Sequence, residues 1–353
     1  MKKWLKVALC ILLAVVLLVG GYVAYVFIDY HRLGDMTLTP EHNADAAESG
    51  TVYTMISYNI GFGAYESDYG FFMDGGTESR AWSKERLTKN LTAISTFLQE
   101  QDADFYLLQE VDTGATRTYQ VDERAYFTEA LSGMSWVYCQ NYDSPYLMYP
   151  LLKPHGASHA GLMTFSTADI AAASRVELPI EGGFMKLLDL DRCYSVSRIP
   201  VSGGKELVLY NLHLSAYTSD GTIATEQLKL LLADMQAEYE SGNWCVAGGD
   251  FNKDLLGDSA AWFGEADQSY SWAQPIPAET FAGVDVSLAA PLDENDPVPS
   301  CRNADGPYHE GQYVLTVDGF LTTPNVTVSQ ATVLDTGFAW SDHNPVKMTF
   351  SLS

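Results

Sequence analysis

Asp250 and Asn252 stand two residues apart behind a pair of glycines, in Gly248-Gly249-Asp250-Phe251-Asn252. The stretch follows Trp244-Cys245-Val246-Ala247, an apolar run with the composition of a buried strand. The glycines let backbone and ligand come close where that strand ends. A carboxylate and a carboxamide at this spacing suit a hard, oxygen-ligated cation beside a phosphate. Three more strand-end clusters carry side chains of the same kind: Gln109-Glu110, Asn211-Leu212-His213 and Ser341-Asp342-His343-Asn344-Pro345.

Glu110 closes the apolar run Phe105-Tyr106-Leu107-Leu108-Gln109, where a carboxylate is costly unless something charged partners it. Asn59 ends the first strand, and Asp250, Asn252 and Asp342 add further oxygen atoms. Such a set suits Mg²⁺ or Mn²⁺ rather than zinc. His213 and His343 have the chemistry for proton transfer or for stabilising transition-state charge. Asp318, in Thr316-Val317-Asp318-Gly319-Phe320, can orient one of them. Singly, each residue has a plainer reading. Glu110 suits a surface turn, His213 a satisfied core or edge position, Asp342 a cap before Pro345, and Asp318 a turn before Gly319. The chemical reading rests on their occurring together.

The elements that position these residues are mostly strands. Residues 52–60, 104–109, 207–212, 244–247, 314–321 and 346–352 read as strands. Ser83 can cap a helix whose apolar stripe is Leu87, Leu91, Ile94 and Leu98. Residues 226–239 read as a second amphipathic helix that closes near Gly242. Strands with helices between some of them predict an α/β sandwich of two packed sheets with helices outside. A long Gly- and acid-rich loop, 61–82, follows Asn59, and residues 264–312 read as loops and insertions. Within them Asp293-Glu294-Asn295-Asp296 reads as a solvated turn.

The chain has 353 residues, 47% of them hydrophobic, enough for a substantial core. Its formal charge is -25. Beyond residue 30 there are 17 basic and 44 acidic residues, a balance of -27. That disfavours nucleic acid, whose binding rests on neutralising phosphates, without vetoing it. Residues 4–28 are apolar except for Lys6, long enough to span a bilayer. Lys2, Lys3 and Lys6 flank the start, which predicts a cytoplasmic amino terminus and an extracytoplasmic body on a retained anchor, residues 1–30. A cleaved signal peptide is the rival, but Tyr22-Val23-Ala24-Tyr25-Val26-Phe27 is a poor cleavage site. Polar residues 31–50 read as a linker, and residues 51–353 as the catalytic domain. The five cysteines lack zinc-ligand spacing, and Cys193 and Cys245 read as buried free thiols.

The motifs occur in an order that closely resembles the endonuclease/exonuclease/phosphatase superfamily, the DNase I-like fold. They are Ser57-Tyr58-Asn59-Ile60, Leu107-Leu108-Gln109-Glu110-Val111, Asn211-Leu212-His213-Leu214, Gly248-Gly249-Asp250-Phe251-Asn252, Val317-Asp318-Gly319-Phe320 and Ser341-Asp342-His343-Asn344-Pro345. The resemblance implies a four-layer α/β sandwich of two mainly antiparallel sheets, with the site at one end. It implies hydrolysis of a phosphate ester by in-line attack of water. On that resemblance Glu110 is the principal metal ligand, with Asn59 and Asp342 supporting the metal. His213 binds phosphate or acts as acid, Asp250 activates water, and Asn252 contacts the scissile phosphate. His343, oriented by Asp318, acts on the pentacovalent transition state. Asn211 and Arg80 are the candidate substrate-binding residues, Arg80 as a phosphate grip. The chain departs from the family in carrying Thr167 after Ser166, where many members have a basic residue, and in lacking a run of Lys or Arg.

These readings predict a membrane-anchored phosphoesterase acting on a phospholipid headgroup, a lipid-linked phosphate or a small phosphoester. A surface nuclease for extracellular DNA or RNA is the alternative, with Arg117, Arg124 and Lys153 as its basic strip. A catalytically silent binding module is the third reading. Phe71 and Phe72, in the loop after Asn59, are candidates for dipping into a membrane, or else pack on the domain itself.

Overall fold

A computed structural model describes residues 2–41, 45–182, 190–216, 222–264 and 273–353. Two sheets pack face to face. One has seven strands in the order β1 (Met36–Leu38), β6 (Ala172–Glu177), β7 (Cys193–Val201), β8 (Lys205–His213), β9 (Trp244–Asp250), β13 (Asp318–Thr322) and β10 (Ser287–Ala289). The other has six, in the order β14 (Val326–Val333), β15 (Val346–Leu352), β2 (Val52–Asn59), β3 (Phe105–Asp112), β5 (His159–Ser166) and β4 (Ser135–Asp143). A short ribbon joins β11 (Cys301–Arg302) to β12 (Val314–Leu315). Pairing is antiparallel except for β2 with β3 and β8 with β9. The helices are α1 (Lys2–Asp29), α2 (Lys84–Gln101), α3 (Arg124–Ala130), α4 (Thr222–Glu240) and α5 (Ser259–Phe263).

The central strands are apolar on both faces, and their alternation sorts the layers. Tyr53, Met55, Phe105, Leu107, Leu207, Leu209, Val246 and Phe320 meet in the core between the sheets. The intervening residues Ile56, Tyr58, Tyr106 and Leu108 face the α2 side, where the stripe Leu87, Leu91, Ile94 and Leu98 covers them. On the far sheet Val208, Tyr210 and Leu212 pack under Leu228, Leu231 and Met235 of α4. This is the predicted four-layer sandwich. Ser83 caps α2 as its sequence predicts, accepting the Arg86 N–H at 3.1 Å.

Three sequence expectations need correction. Segment 31–50 is not a free tether. Its β1 adds a strand to the seven-stranded sheet by pairing with β6, and Glu41 and Ala47 bridge to Trp136 and Val201. Residues 314–321 are two strands, β12 and β13, rather than one. The described part of 264–312 also contributes β10 and β11, so it is not all loop. The four cysteines beyond α1 are buried and free, and Cys139 and Cys193 face each other across the sheets with their Sγ atoms 3.6 Å apart.

Candidate active site

Alternation also aims the site residues. Asn59 shares parity with Tyr53 and Met55, Asp250 with Val246, and Asp318 with Phe320, so all three point into the gap between the sheets. They lie at its open end, where β13 pairs Asp318 directly with Asp250. At Gly248 the two sheets also approach closely: a Cβ there would lie 2.8 Å from a Leu107 methyl of the opposite sheet and 2.9 Å from the Phe320 ring. Gly249 has φ +152° and would put a Cβ 2.0 Å from the Leu212 carbonyl.

Alternation alone would turn Glu110 toward the α2 side with Tyr106 and Leu108. A register shift between Leu108 and Val111 prevents this, with Glu110 itself at φ +58°. A bulge beside a strand end re-aims a side chain. Glu110 Oε1 consequently accepts from Asn59 Nδ2 at 3.3 Å. The same Nδ2 is 3.0 Å from Asp250 Oδ2, while Asn59 Oδ1 accepts the Gly61 N–H. Asn252 is also left-handed, at φ +48°. Its N–H donates to Asp250 Oδ1 at 2.8 Å and its Nδ2 to the Leu214 carbonyl.

The two histidines are held in opposite states. His343 Nδ1 sits 2.8 Å from Asp318 Oδ2, whose carboxylate also accepts from Ser300 Oγ at 2.7 Å. Burial pulls the His343 pKa down, but Asp318, Cys301 and Asp250 outweigh it and hold the imidazole well above its usual range. Burial, Arg192 and His343 push His213 well below that range, so it is neutral. Its Nε2 lies 3.5 Å from Asp250 Oδ2, and among the described residues its buried Nδ1 has no hydrogen-bond partner. Burial pushes Asp250 up to about 7, against the pull of His343. Glu110 is raised by burial and by Asp342 nearby, and Asp342 is itself raised by burial.

Three clustered carboxylates with raised affinity for protons form an oxygen-rich set that fits a divalent cation. Asp250, Asp318 and His343 also bring one donor atom each within 4.8 Å of one another. That trio is a poorer ligand set, because the Asp318–His343 hydrogen bond already occupies the facing atoms. Glu110 and Asp342 line the same cleft and offer carboxylate oxygen without breaking that bond, whereas Asn59, expected as a ligand, turns its Nδ2 to the carboxylates and its Oδ1 to the Gly61 N–H.

Two expected substrate contacts lie elsewhere. Asn211 is buried between the sheets, donating to the Met163 carbonyl at 2.9 Å and accepting from Gln109 Nε2 at 2.8 Å. It ties the layers together and does not line the cleft. Arg80 donates through Nε to the Pro154 carbonyl at 2.6 Å and is likewise outside the cleft lining. The arginines that do line it are Arg117, Arg192 and Arg302, all buried. Arg302 gathers backbone carbonyls of Tyr65, Glu66 and Asn303, which pins the 61–82 loop over the site. The three residues of the expected basic strip are each paired with a carboxylate: Arg117 with Asp112, Arg124 with Asp122, and Lys153 with Glu78. Phe71 is buried against Phe62 and Tyr65, not exposed for a membrane, and Phe72 is half-buried against Tyr149.

His155, on the cleft wall, donates from Nδ1 to the Ser79 carbonyl at 2.8 Å, which leaves its Nε2 to accept from Ser158 Oγ at 3.2 Å. Burial and Arg117 push its pKa down to about 3. A depressed histidine binds its proton more readily when unfolded, so its effect on stability appears as pH falls from about 6.5 toward 3. Replacing His155 by Asn is therefore expected to flatten the loss of stability between pH 7 and 5. Urea unfolding across that range checks it.

Comparison with known proteins agrees with the geometry. Residues 56–343 match the model of the Endonuclease/Exonuclease/phosphatase family, and the chain belongs to that family. Its members are hydrolases acting on phosphate ester bonds and generally use divalent metals. No curated protein matches the chain. Among solved structures, an endonuclease/exonuclease/phosphatase from Beutenbergia cavernae aligns over 86% of this chain and 72% of its own, with 17% identity and a TM-score of 0.57. ANGEL2, a 2',3'-cyclic phosphatase solved with adenosine-2',3'-vanadate, aligns over 90% of this chain and 99% of its own, with 16% identity and a TM-score of 0.54. Truncated TDP2 from Caenorhabditis elegans aligns over 86% and 98%, with 16% identity and a TM-score of 0.51. These likenesses establish the DNase I-like fold.

Proposed function

We propose that the chain hydrolyses a small or lipid-borne phosphate ester outside the membrane, with Mg²⁺ or Mn²⁺ held by Glu110 and Asp342 and with Asn59 positioning the Glu110 and Asp250 carboxylates. The observation that carries this is that His213 and His343 bring their Nε2 atoms to 3.5 and 3.8 Å from one Asp250 oxygen, in surroundings that favour the neutral form of the first and the charged form of the second. Environments that push like groups apart assign acid and base roles. Asp250, near neutrality, takes a proton from the attacking water. Asn252 orients the scissile phosphate. His343, held by Asp318, places positive charge where the pentacovalent transition state becomes more anionic. His213 hydrogen-bonds a phosphate oxygen or the leaving group. A bound cation supplies Lewis-acid charge to the phosphate oxygens.

Several features support a small or lipid substrate over nucleic acid: the body's charge of -27, the pairing of Arg117, Arg124 and Lys153 with carboxylates, and α1. The most apolar 18-residue window of that helix has a mean hydropathy of 2.8 and is unburied, the properties of a membrane span or a signal sequence. We read it as a retained anchor. The test uses the full chain in detergent with Mg²⁺ or Mn²⁺ and an Asp250→Ala control. Hydrolysis of bis-p-nitrophenyl phosphate, p-nitrophenyl phosphate and phospholipid, but not plasmid DNA, is the expected result. Rapid, salt-sensitive nicking of plasmid would replace it with the nuclease reading. Silence on every substrate, together with no effect of Mg²⁺ or Mn²⁺ on melting, would favour a binding module.

A further inference from the structure

The loop between β4 and β5 carries Tyr146-Leu147-Met148-Tyr149-Pro150-Leu151-Leu152-Lys153. Its tip is apolar and unusually open. Tyr149 is 67% exposed, Leu151 78% and Leu152 102%, with Met148 beside them. A contiguous exposed apolar patch marks a surface that meets something apolar. The loop is also well tied. Leu147 and Gly156 exchange backbone hydrogen bonds at its neck, and the His155 N–H donates to the Tyr149 carbonyl at 3.0 Å.

What covers the tip is indicated by its other fastening. Tyr22 Oη of α1 donates to the Tyr146 carbonyl at 3.1 Å and accepts the Met148 N–H at 3.0 Å. One turn on, Tyr25 Oη accepts the Tyr146 N–H at 3.0 Å. About 20 helical residues cross a hydrocarbon core of roughly 30 Å. A span that starts near Trp4 therefore ends near Tyr22 and Tyr25, at the depth where aromatic residues gather. The tip hangs from those two phenols. We infer that residues 148–152 form a second membrane contact, seated in the outer lipid interface beside α1 and turning the catalytic cleft toward the bilayer. This rests on reading α1 as a retained anchor.

Topology places the tip beside the cleft. β3 ends at the site with Glu110, β5 runs antiparallel to β3, and β4 runs antiparallel to β5. The β4–β5 loop thus leaves the same end of the sheet as Asn59 and Glu110. His155 and Phe71 line the cleft, and both contact Phe72, which packs on Tyr149 with centroids 5.7 Å apart. A phosphoester in the lipid headgroup layer would meet the site without leaving the membrane. Lys153 is paired with Glu78 and the body is acidic, so the seating is apolar rather than electrostatic.

Depth-dependent quenching tests this without relying on activity. The full chain is placed in phosphatidylcholine vesicles with an environment-sensitive fluorophore at one site at a time. Native Cys10 reports on the anchor. Leu152→Cys and Ser202→Cys, each with Cys10→Ala, report on the tip and on the exposed β7–β8 turn at the opposite end of the sheet. The buried cysteines stay unlabelled in the folded chain. Labels at 10 and 152 are expected to lose emission to spin-labelled lipid in 0.1 M and 1 M salt alike, and the label at 202 to keep it. A quenched label at 10 with an unquenched one at 152 overturns the tip and leaves the anchor. Unquenched labels at both sites overturn both.

Discussion

His343→Ala is expected to lower kcat by about 10²–10⁴-fold with little change in KM, the span ascribed to one positioned acid–base group. The expectation follows from where the charge is held. Asp318 Oδ2 fixes Nδ1 at 2.8 Å, so the ring's other nitrogen faces Asp250 Oδ2 at 3.8 Å and the cleft between the sheets. A cation that is already charged and oriented stabilises developing anionic charge without rearranging. The loss should therefore fall on turnover rather than on ground-state binding. Asp318→Asn separates charge from shape. It keeps the side-chain outline but removes the principal group that holds His343 protonated. The histidine must be charged to act, so activity is lost as pH rises through its pKa. Lowering that pKa moves the loss to lower pH. Steady-state kinetics from pH 6 to 10 reads the shift, and unaltered circular dichroism confirms that the fold survives. A His343→Ala enzyme with wild-type kcat would remove the residue from the mechanism.

The sequence exposed the site more readily than it exposed the site's surroundings. Asn59, Glu110, His213 and Asp250 each close an apolar run, and a polar side chain at that position is visible without knowing which strands pair. Asp318 opens β13, and the break before it at Thr316-Val317 was hidden in an apolar stretch. Asn211 shows what a local pattern leaves out. It has the same parity as His213 and the same orientation into the inter-sheet gap, but it lies one residue pair deeper. There Gln109 and the Met163 carbonyl take its amide. Depth in a sandwich depends on the register of two sheets, which no local pattern encodes. Arg80 fails for a similar reason: its loop does flank the cleft, but the Pro154 carbonyl claims its guanidinium. Arg117, Arg192 and Arg302 reach one cleft from distant parts of the chain, and only topology brings them together. The re-aiming of Glu110 was equally silent, since its left-handed backbone is not marked by a glycine. A three-residue edge strand in a polar segment, β1, carries too little alternation to distinguish it from a linker.

Glu110→Gln is expected to reverse the sign of its effect on stability according to whether a divalent cation is present. Without the cation, Glu110, Asp342 and Asp250 crowd one cleft, and burial raises the proton affinity of each. Replacing one carboxylate with a neutral amide removes repulsion at nearly constant shape, so the cation-free variant should melt at or above the wild type. With the cation the order inverts. A ligand that binds only the folded state at 100 times its Kd stabilises by about 2.7 kcal/mol, and loss of a charged oxygen ligand forfeits most of that. Melting curves in EDTA and in millimolar Mg²⁺ or Mn²⁺ give four values whose crossing is the diagnostic. The same removal of cation should abolish hydrolysis in the wild type and be reversed by re-adding it. Glu110→Gln should need at least about 10–100-fold more cation for half-maximal activity, the order of loss seen even for groups that only support a metal ligand. A merely structural Glu110 predicts something else: a variant that melts lower under both conditions by the same amount, with an unshifted cation requirement. Parallel rather than crossing curves would therefore move the cation away from the β3 bulge, toward Asp250 and the His343–Asp318 pair.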